Sequence, residues 1–150
     1  MEAFASAGAG FLAAVVWFDL MFDVQVLRDR ARDVPEPVLA SIAAYYRRVT
    51  TDARPMNLFV AFAMVATVAA VVVEVADGLE PRWIAWVSLV LIVGAAALGR
   101  FRTVPTAVRI GARTDPVAEQ SALARQICRD HLVCFTAILV LLALQLGSVA

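Results

Sequence analysis

The sequence predicts an all-α integral membrane protein, a four-transmembrane-helix bundle with two cytoplasmic interfacial helices, and three observations predict it. Four apolar stretches, residues 7–27, 56–76, 83–99 and 132–149, each approach the length of about 20 residues that a helix needs to cross ~30 Å of hydrocarbon. Hydrophobic residues make up 62% of the 150-residue chain, with a mean hydropathy of +0.80. A soluble domain of this size has too much surface to hide four such helices. In lipid, by contrast, each helix satisfies its own backbone hydrogen bonds. Finally, the arginine-rich segments fall on alternate connections between the stretches, which gives a single membrane domain over 1–150 a readable topology.

All 13 basic residues are arginine and the net charge is zero. Arg28, Arg30, Arg32, Arg47, Arg48 and Arg54 lie between the first and second stretches. Arg100, Arg102, Arg109, Arg113, Arg125 and Arg129 lie between the third and fourth, whereas the second connection carries Arg82 alone. The positive-inside bias makes the first and third connections cytoplasmic and puts both termini outside. This is the pattern of a multi-pass protein of the cell inner or plasma membrane. Trp83 and Trp86 then fall at the outer interface, where indole rings are favoured.

The first stretch has Glu2 where a cleaved signal would carry positive charge, and its apolar run continues past Asp19 and Asp23, so it reads as a retained span. Asp33, Pro35 and Pro37 punctuate the first connection, and Val38, Leu39, Ile42, Ala43 and Tyr46 then recur at helical spacing. In the third connection Asp115 suits an N-cap and Pro116 the first turn of a helix continued by Ala118, Ala122 and Ile127. Both segments read as amphipathic helices at the inner membrane surface. Val34-Pro35 and Val104-Pro105 follow the first and third stretches in the same way, a layout that suggests a repeat of two helical hairpins. Gly94, Ala95, Ala96, Ala97 and Gly99 mark a close-packing face on the third helix, within the bundle or between copies. Cys128 and Cys134, six apart on the cytoplasmic side, suit neither a disulfide nor a metal knuckle.

Asp19 and Asp23, four apart in Trp17-Phe18-Asp19-Leu20-Met21-Phe22-Asp23, project from one face of the first helix. Carboxylates within a span are costly and face the bundle interior or water. They could bind a cation, relay protons, or pair with Arg100 or Arg102. Asn57, Arg100, Arg129 and His131 belong at a similar depth, so a cytoplasm-facing polar pocket of Asp19, Asp23, Asn57, Arg100, Arg129 and His131 is expected. In it Asp23 and His131 supply acid-base groups, and Asp19, Asn57, Arg100 and Arg129 hold the ligand. A single histidine excludes zinc or haem sites built on several imidazoles and leaves open a mixed carboxylate and histidine metal site; its ordinary pKa near 6.5 also suits a general base. Glu74, near Asp77, Glu80 and Arg82, reads as part of a solvated helix terminus. The chain has no glycine-rich phosphate loop, nucleophile elbow, His-Glu-x-x-His or Cys-x-x-Cys, no voltage-sensing arginines within a span, and no pattern that names a cofactor or a nucleic-acid partner.

The stretch Thr103-Val104-Pro105-Thr106-Ala107-Val108-Arg109-Ile110, with Arg129-Asp130-His131 opening the last helix, resembles the anthrone-oxygenase-like family of small four-helix membrane proteins. Pro105 and His131 match cleanly, while Ala107 and Cys134 stand where that family commonly has asparagine and arginine. The resemblance implies the four-span fold and oxidation of an aromatic, anthrone-type substrate. Two functional classes follow from the sequence. One is an enzyme on, or binder of, a hydrophobic small molecule; the other is a small transporter with Asp19 and Asp23 on a cation or proton path. Four helices enclose little space, so the second would need a homo-oligomer. A scaffold subunit, with carboxylates that only lock the bundle, is a third.

Overall fold

The computed structural model describes residues 2–28, 33–78 and 81–149. Asp29, Arg30, Arg32 and Glu80 lie outside them. The described elements are helical throughout: α1 (Glu2–Asp23), a 3-10 turn (Val24–Leu27), α2 (Glu36–Arg47), a π turn (Arg48–Asp52), α3 (Arg54–Asp77), α4 (Arg82–Leu98), a second π turn (Gly99–Thr103), α5 (Val104–Ala112) and α6 (Val117–Val149). Four helical runs are long and apolar enough to cross a membrane: Glu2–Leu27, Asn57–Asp77, Arg82–Ala112 and Val117–Gly147. They fit a multi-pass membrane protein. Their outward faces are bare hydrocarbon, with Phe62 and Val90 about seven-tenths exposed, an arrangement that water penalises and lipid does not.

The third and fourth runs exceed the expected stretches most. The third does not stop at Gly99 but continues through a π turn into α5, and the fourth begins at Val117 and runs unbroken for 33 residues. At 1.5 Å per residue α6 is ~50 Å long, against ~30 Å of hydrocarbon. The amphipathic segment expected before the last span is therefore the first part of the same helix, because residues 117–131 contain no glycine or proline to interrupt it. Asp115, expected as an N-cap, instead pairs with Arg109 at 2.8 Å.

Each π turn precedes a proline, Pro55 in α3 and Pro105 in α5. Proline lacks an N–H and crowds the carbonyl four residues back, and a locally widened helix accommodates it. The π turn follows α2 in the first half but precedes α5 in the second. Val34-Pro35 and Val104-Pro105 thus sit in different settings, the first outside any helix just before α2 and the second within a continuous run.

Two cores result. In the bundle, Ala5, Ala9, Leu12, Val71, Ile92, Ala95, Ile138 and Leu141 pack α1, α3, α4 and α6 together. Of the small residues on α4, Ala95 is in this core, whereas Gly94 has open space around it. In the second core, Val26, Val34, Leu39, Ile42, Tyr46, Ile110, Ala124, Ile127 and Cys128 join α2, α5 and the first part of α6 into a cap over one end. Ser121 Oγ accepts the Val34 backbone N–H at 2.9 Å and ties the first connection to α6. The α2–α5 crossing is close enough that a Cβ on Gly111 would lie 2.8 Å from the Arg47 backbone nitrogen.

Gly111→Ala is expected to cost about 1–3 kcal/mol, because backbone rather than a side-chain tip must move. Gly94→Ala, into open space, should be neutral or slightly stabilising. Thermal unfolding in mild detergent measures both; equal midpoints would contradict the cap packing.

Candidate functional site

Between the two cores lies a buried cluster of ionisable side chains from three helices. Asp19 and Asp23 come from α1, Tyr45 and Tyr46 from α2, and His131 from α6. Four-residue spacing aligns the two carboxylates on one stripe of α1. The two tyrosines are adjacent in sequence, so their side chains diverge around α2 and each reaches a different aspartate.

His131 Nδ1 lies 2.6 Å from Asp23 Oδ2, and the Tyr46 hydroxyl donates to the other oxygen, Oδ1, at 2.7 Å. Asp23 is fully buried and His131 nearly so. A neutral ring in this setting carries its hydrogen on Nδ1, donates it to Asp23, and keeps a lone pair on Nε2. Nε2 faces Asp19 Oδ2 across 3.7 Å, too far for a direct hydrogen bond. The Tyr45 hydroxyl donates to Asp19 Oδ1 at 2.5 Å. The Tyr45 ring stacks on Phe22 with centroids 4.1 Å apart and planes inclined by 9°, which covers the partly exposed Asp19 side. Asp23 thus positions the ring, and Nε2 is left without a direct hydrogen bond to Asp19.

Burial first, and then the neighbouring carboxylates, push both phenols far above their usual range: Asp19 acts most strongly on Tyr45 and Asp23 on Tyr46. Both therefore remain hydrogen-bond donors.

Of the six residues expected to form a polar pocket, Asp19, Asp23 and His131 come together. Asn57, Arg100 and Arg129 are exposed and stand apart from it. Arg129 precedes His131 by two residues and so points to nearly the opposite side of α6. Arg100 sits in the second π turn, its guanidinium 5.9 Å from the Phe101 ring centroid. Asn57 is in the first turns of α3, whose packing stripe runs through Thr67, Ala70 and Val71 instead. Nor do the aspartates pair with the third helix: Arg102 Nε lies 3.0 Å from Asp130 Oδ2. Among the described residues, no group of three His, Cys, Asp or Glu side chains has a geometry that could hold a metal ion. Tyr45 and Tyr46 complete the cluster, but only Tyr46 was legible, as part of the amphipathic pattern of α2, and Tyr45 was missed. The available signal was the need of two buried carboxylates for donors.

Glu74 is a correction. It is 2% exposed rather than solvated, because α3 turns it inward toward Ser88 of α4 and Gln145 of α6. Gln145 Nε2 donates to Glu74 Oε2 at 2.9 Å and to Ser88 Oγ at 3.2 Å.

No family model, curated protein or solved structure matches the chain.

Asp23→Ala leaves the His131 Nδ1–H and the Tyr46 hydroxyl buried without an acceptor and is expected to cost about 1–3 kcal/mol for each, read as a lower unfolding midpoint. The chain has only two tyrosines, both in the cluster, so tyrosinate absorbance reports on it directly. The folded state favours the neutral phenols. Its stability from them is complete below the free phenol value of about 10 and is lost as the pH rises above it. Tyrosinate should therefore appear only together with unfolding; ionisation near pH ~10 in the folded protein would contradict the burial.

Proposed function

We propose that the protein is a membrane-embedded acid-base site acting on a hydrophobic small molecule. His131 Nε2 serves as the proton acceptor, Asp23 and Tyr46 position its ring, and Asp19 holds the proton's second station. The arginine-rich connections lie on the cytoplasmic side, with the cap of α2, α5 and early α6 at the inner surface, both termini outside, and the substrate entering from lipid. The observation that carries this reading is the asymmetric clamp on His131: one nitrogen is fixed by a fully buried carboxylate at 2.6 Å and the other faces a 3.7 Å gap to a second carboxylate. A general base needs that arrangement, in which an orienting group on one side leaves the working nitrogen reachable on the other.

Oxidation of an anthrone-type ring is the specific version. Such a substrate carries an acidic C–H beside an aromatic ketone system. Transfer of that hydrogen to Nε2 leaves an electron-rich anion, and dioxygen then takes the reaction to quinone and water. The histidine that carries the family resemblance is the residue at the centre of the cluster, which supports this choice.

Transport is favoured less by the geometry. On α6, Ile138 and Leu141 lie between His131 and Gln145, and with Leu12 and Ile92 they fill the bundle axis, all 2% exposed or less. A proton leaving Asp19 along the axis meets hydrocarbon, where a charge is costly.

Anthrone supplied to the protein in nanodiscs should be converted to anthraquinone faster than in empty nanodiscs. His131→Gln should lose about 100-fold or more of that rate, with the fold retained. Vesicles loaded with a pH-sensitive dye should show no proton leak above protein-free vesicles. A leak abolished by Asp19→Asn would overturn the enzyme reading in favour of transport.

A further inference from the structure

Where α2 crosses α5, a cleft of about 350 Å³ that the proposed chemistry does not use opens on the outside of the cap. Its walls are Arg47, Thr50 and Thr51 on one side and Val108, Gly111 and Ala112 on the other. Two local features set these walls. The end of α2 widens into the π turn Arg48–Asp52, and Gly111 lets the Arg47 backbone approach α5 closely enough to exclude a Cβ. The lining residues differ in what they have left to offer. Thr50 Oγ1 spends its hydrogen on the Tyr46 carbonyl at 2.6 Å. Arg47 and Thr51 are exposed, and their side chains have no hydrogen-bond or ion-pair partner among the described residues. Arg47 is the only charge in the described lining, and the neighbouring Arg113 is already paired with Glu36. The α5 wall is apolar, and it continues beyond the cleft. Val108, Val104 and Phe101 recur at helical spacing and are 50%, 52% and 78% exposed, a bare stripe that leads from the cleft back toward α4.

We propose that this cleft holds the head of an anionic phospholipid, with its phosphate on the Arg47 guanidinium and the Thr51 hydroxyl and an acyl chain along Val108, Val104 and Phe101. A guanidinium presents its N–H groups in a fork that matches two phosphate oxygens, and the Thr51 O–H supplies a further donor. A cation beside an apolar stripe suits an amphiphile better than a free anion, because only a chain can cover the stripe. The position fits as well. Thr51 precedes Asn57, where the second apolar run begins, by less than two helical turns, on the order of 10 Å. That is the level of the headgroups beside the hydrocarbon, where arginines attract anionic lipid.

The test is native mass spectrometry of the full chain released from nanodiscs of phosphatidylcholine containing a minor share of phosphatidylglycerol. Both lipids carry a phosphate, but phosphatidylcholine adds a trimethylammonium that Arg47 repels. The wild type should retain phosphatidylglycerol about fivefold above its share, the size expected for one arginine at an anionic surface. Arg47→Gln and Thr51→Val should each lose most of that enrichment; both positions are exposed, so neither change threatens folding. Arg129→Gln removes the same charge from an exposed position on α6 and should leave the enrichment intact. No enrichment in the wild type overturns the proposal, as does enrichment that survives Arg47→Gln or Thr51→Val, or that falls equally in Arg129→Gln. Glycerol phosphate added as a competitor separates the two sources of phosphate. Lipid that stays bound supports the lipid occupant, and lipid that is displaced overturns it in favour of a soluble anion.

Discussion

The clamp of Asp23 and Tyr46 on His131 is the interaction on which the rest of the structure depends. A carboxylate buried completely in a helical bundle is tolerable only if its oxygens are supplied with donors. Asp23 achieves this with one donor from α2 and one from α6. Those two bonds fix where the cap sits on the bundle, since α2 supplies Tyr46 to the cap core and to Asp23 at once. The same constraint orients the imidazole. Structural economy and chemical competence are thus met by the same atoms: the groups that make the burial affordable also leave Nε2 directed at Asp19.

The two cores around this layer are held by different forces. Between spans, lipid is as apolar as the side chains it replaces, so association relies on close fit. That is why Ala5, Ala9 and Ala70 are fully or almost fully buried and why Gly8 lies against Thr67 with no room for a Cβ. The cap relies on larger side chains, Leu39, Ile42, Ile110 and Ile127, whose burial from water stabilises by roughly 1.5–3 kcal/mol each. The π turn at Gly99–Thr103 carries the chain between these regimes without breaking the helical run, whereas the one at Arg48–Asp52 ends at Ala53, which leaves the helical region before α3 begins.

Most of the fold was legible because a hydrocarbon slab imposes length and composition on any helix that crosses it. The four runs, the inward-facing stripe of Asp19 and Asp23, and the helix from about Val38 to Tyr46 all follow from period and hydropathy. The continuity of α4 into α5 and of α6 through His131 did not, because apolar windows register where hydrocarbon ends and not where a helix does. For the site, depth was readable and azimuth was not. Asn57, Arg100, Arg129 and His131 were expected at one level, but only His131 turns toward the aspartates. Tyr45, Tyr46 and the burial of Glu74 depend on which helices are neighbours, and no pairwise signal within one sequence encodes that.

The most direct measurement exploits the fact that His131 is the single histidine: nitrogen NMR of the protein in nanodiscs, labelled only at histidine, for the wild type and for Asp23→Asn. The account predicts one imidazole whose Nδ1 hydrogen is strongly bonded and protected from exchange, and whose Nδ1 resonance shifts in the variant while the fold persists. A ring in free tautomeric exchange, with a spectrum unchanged by Asp23→Asn, would contradict it.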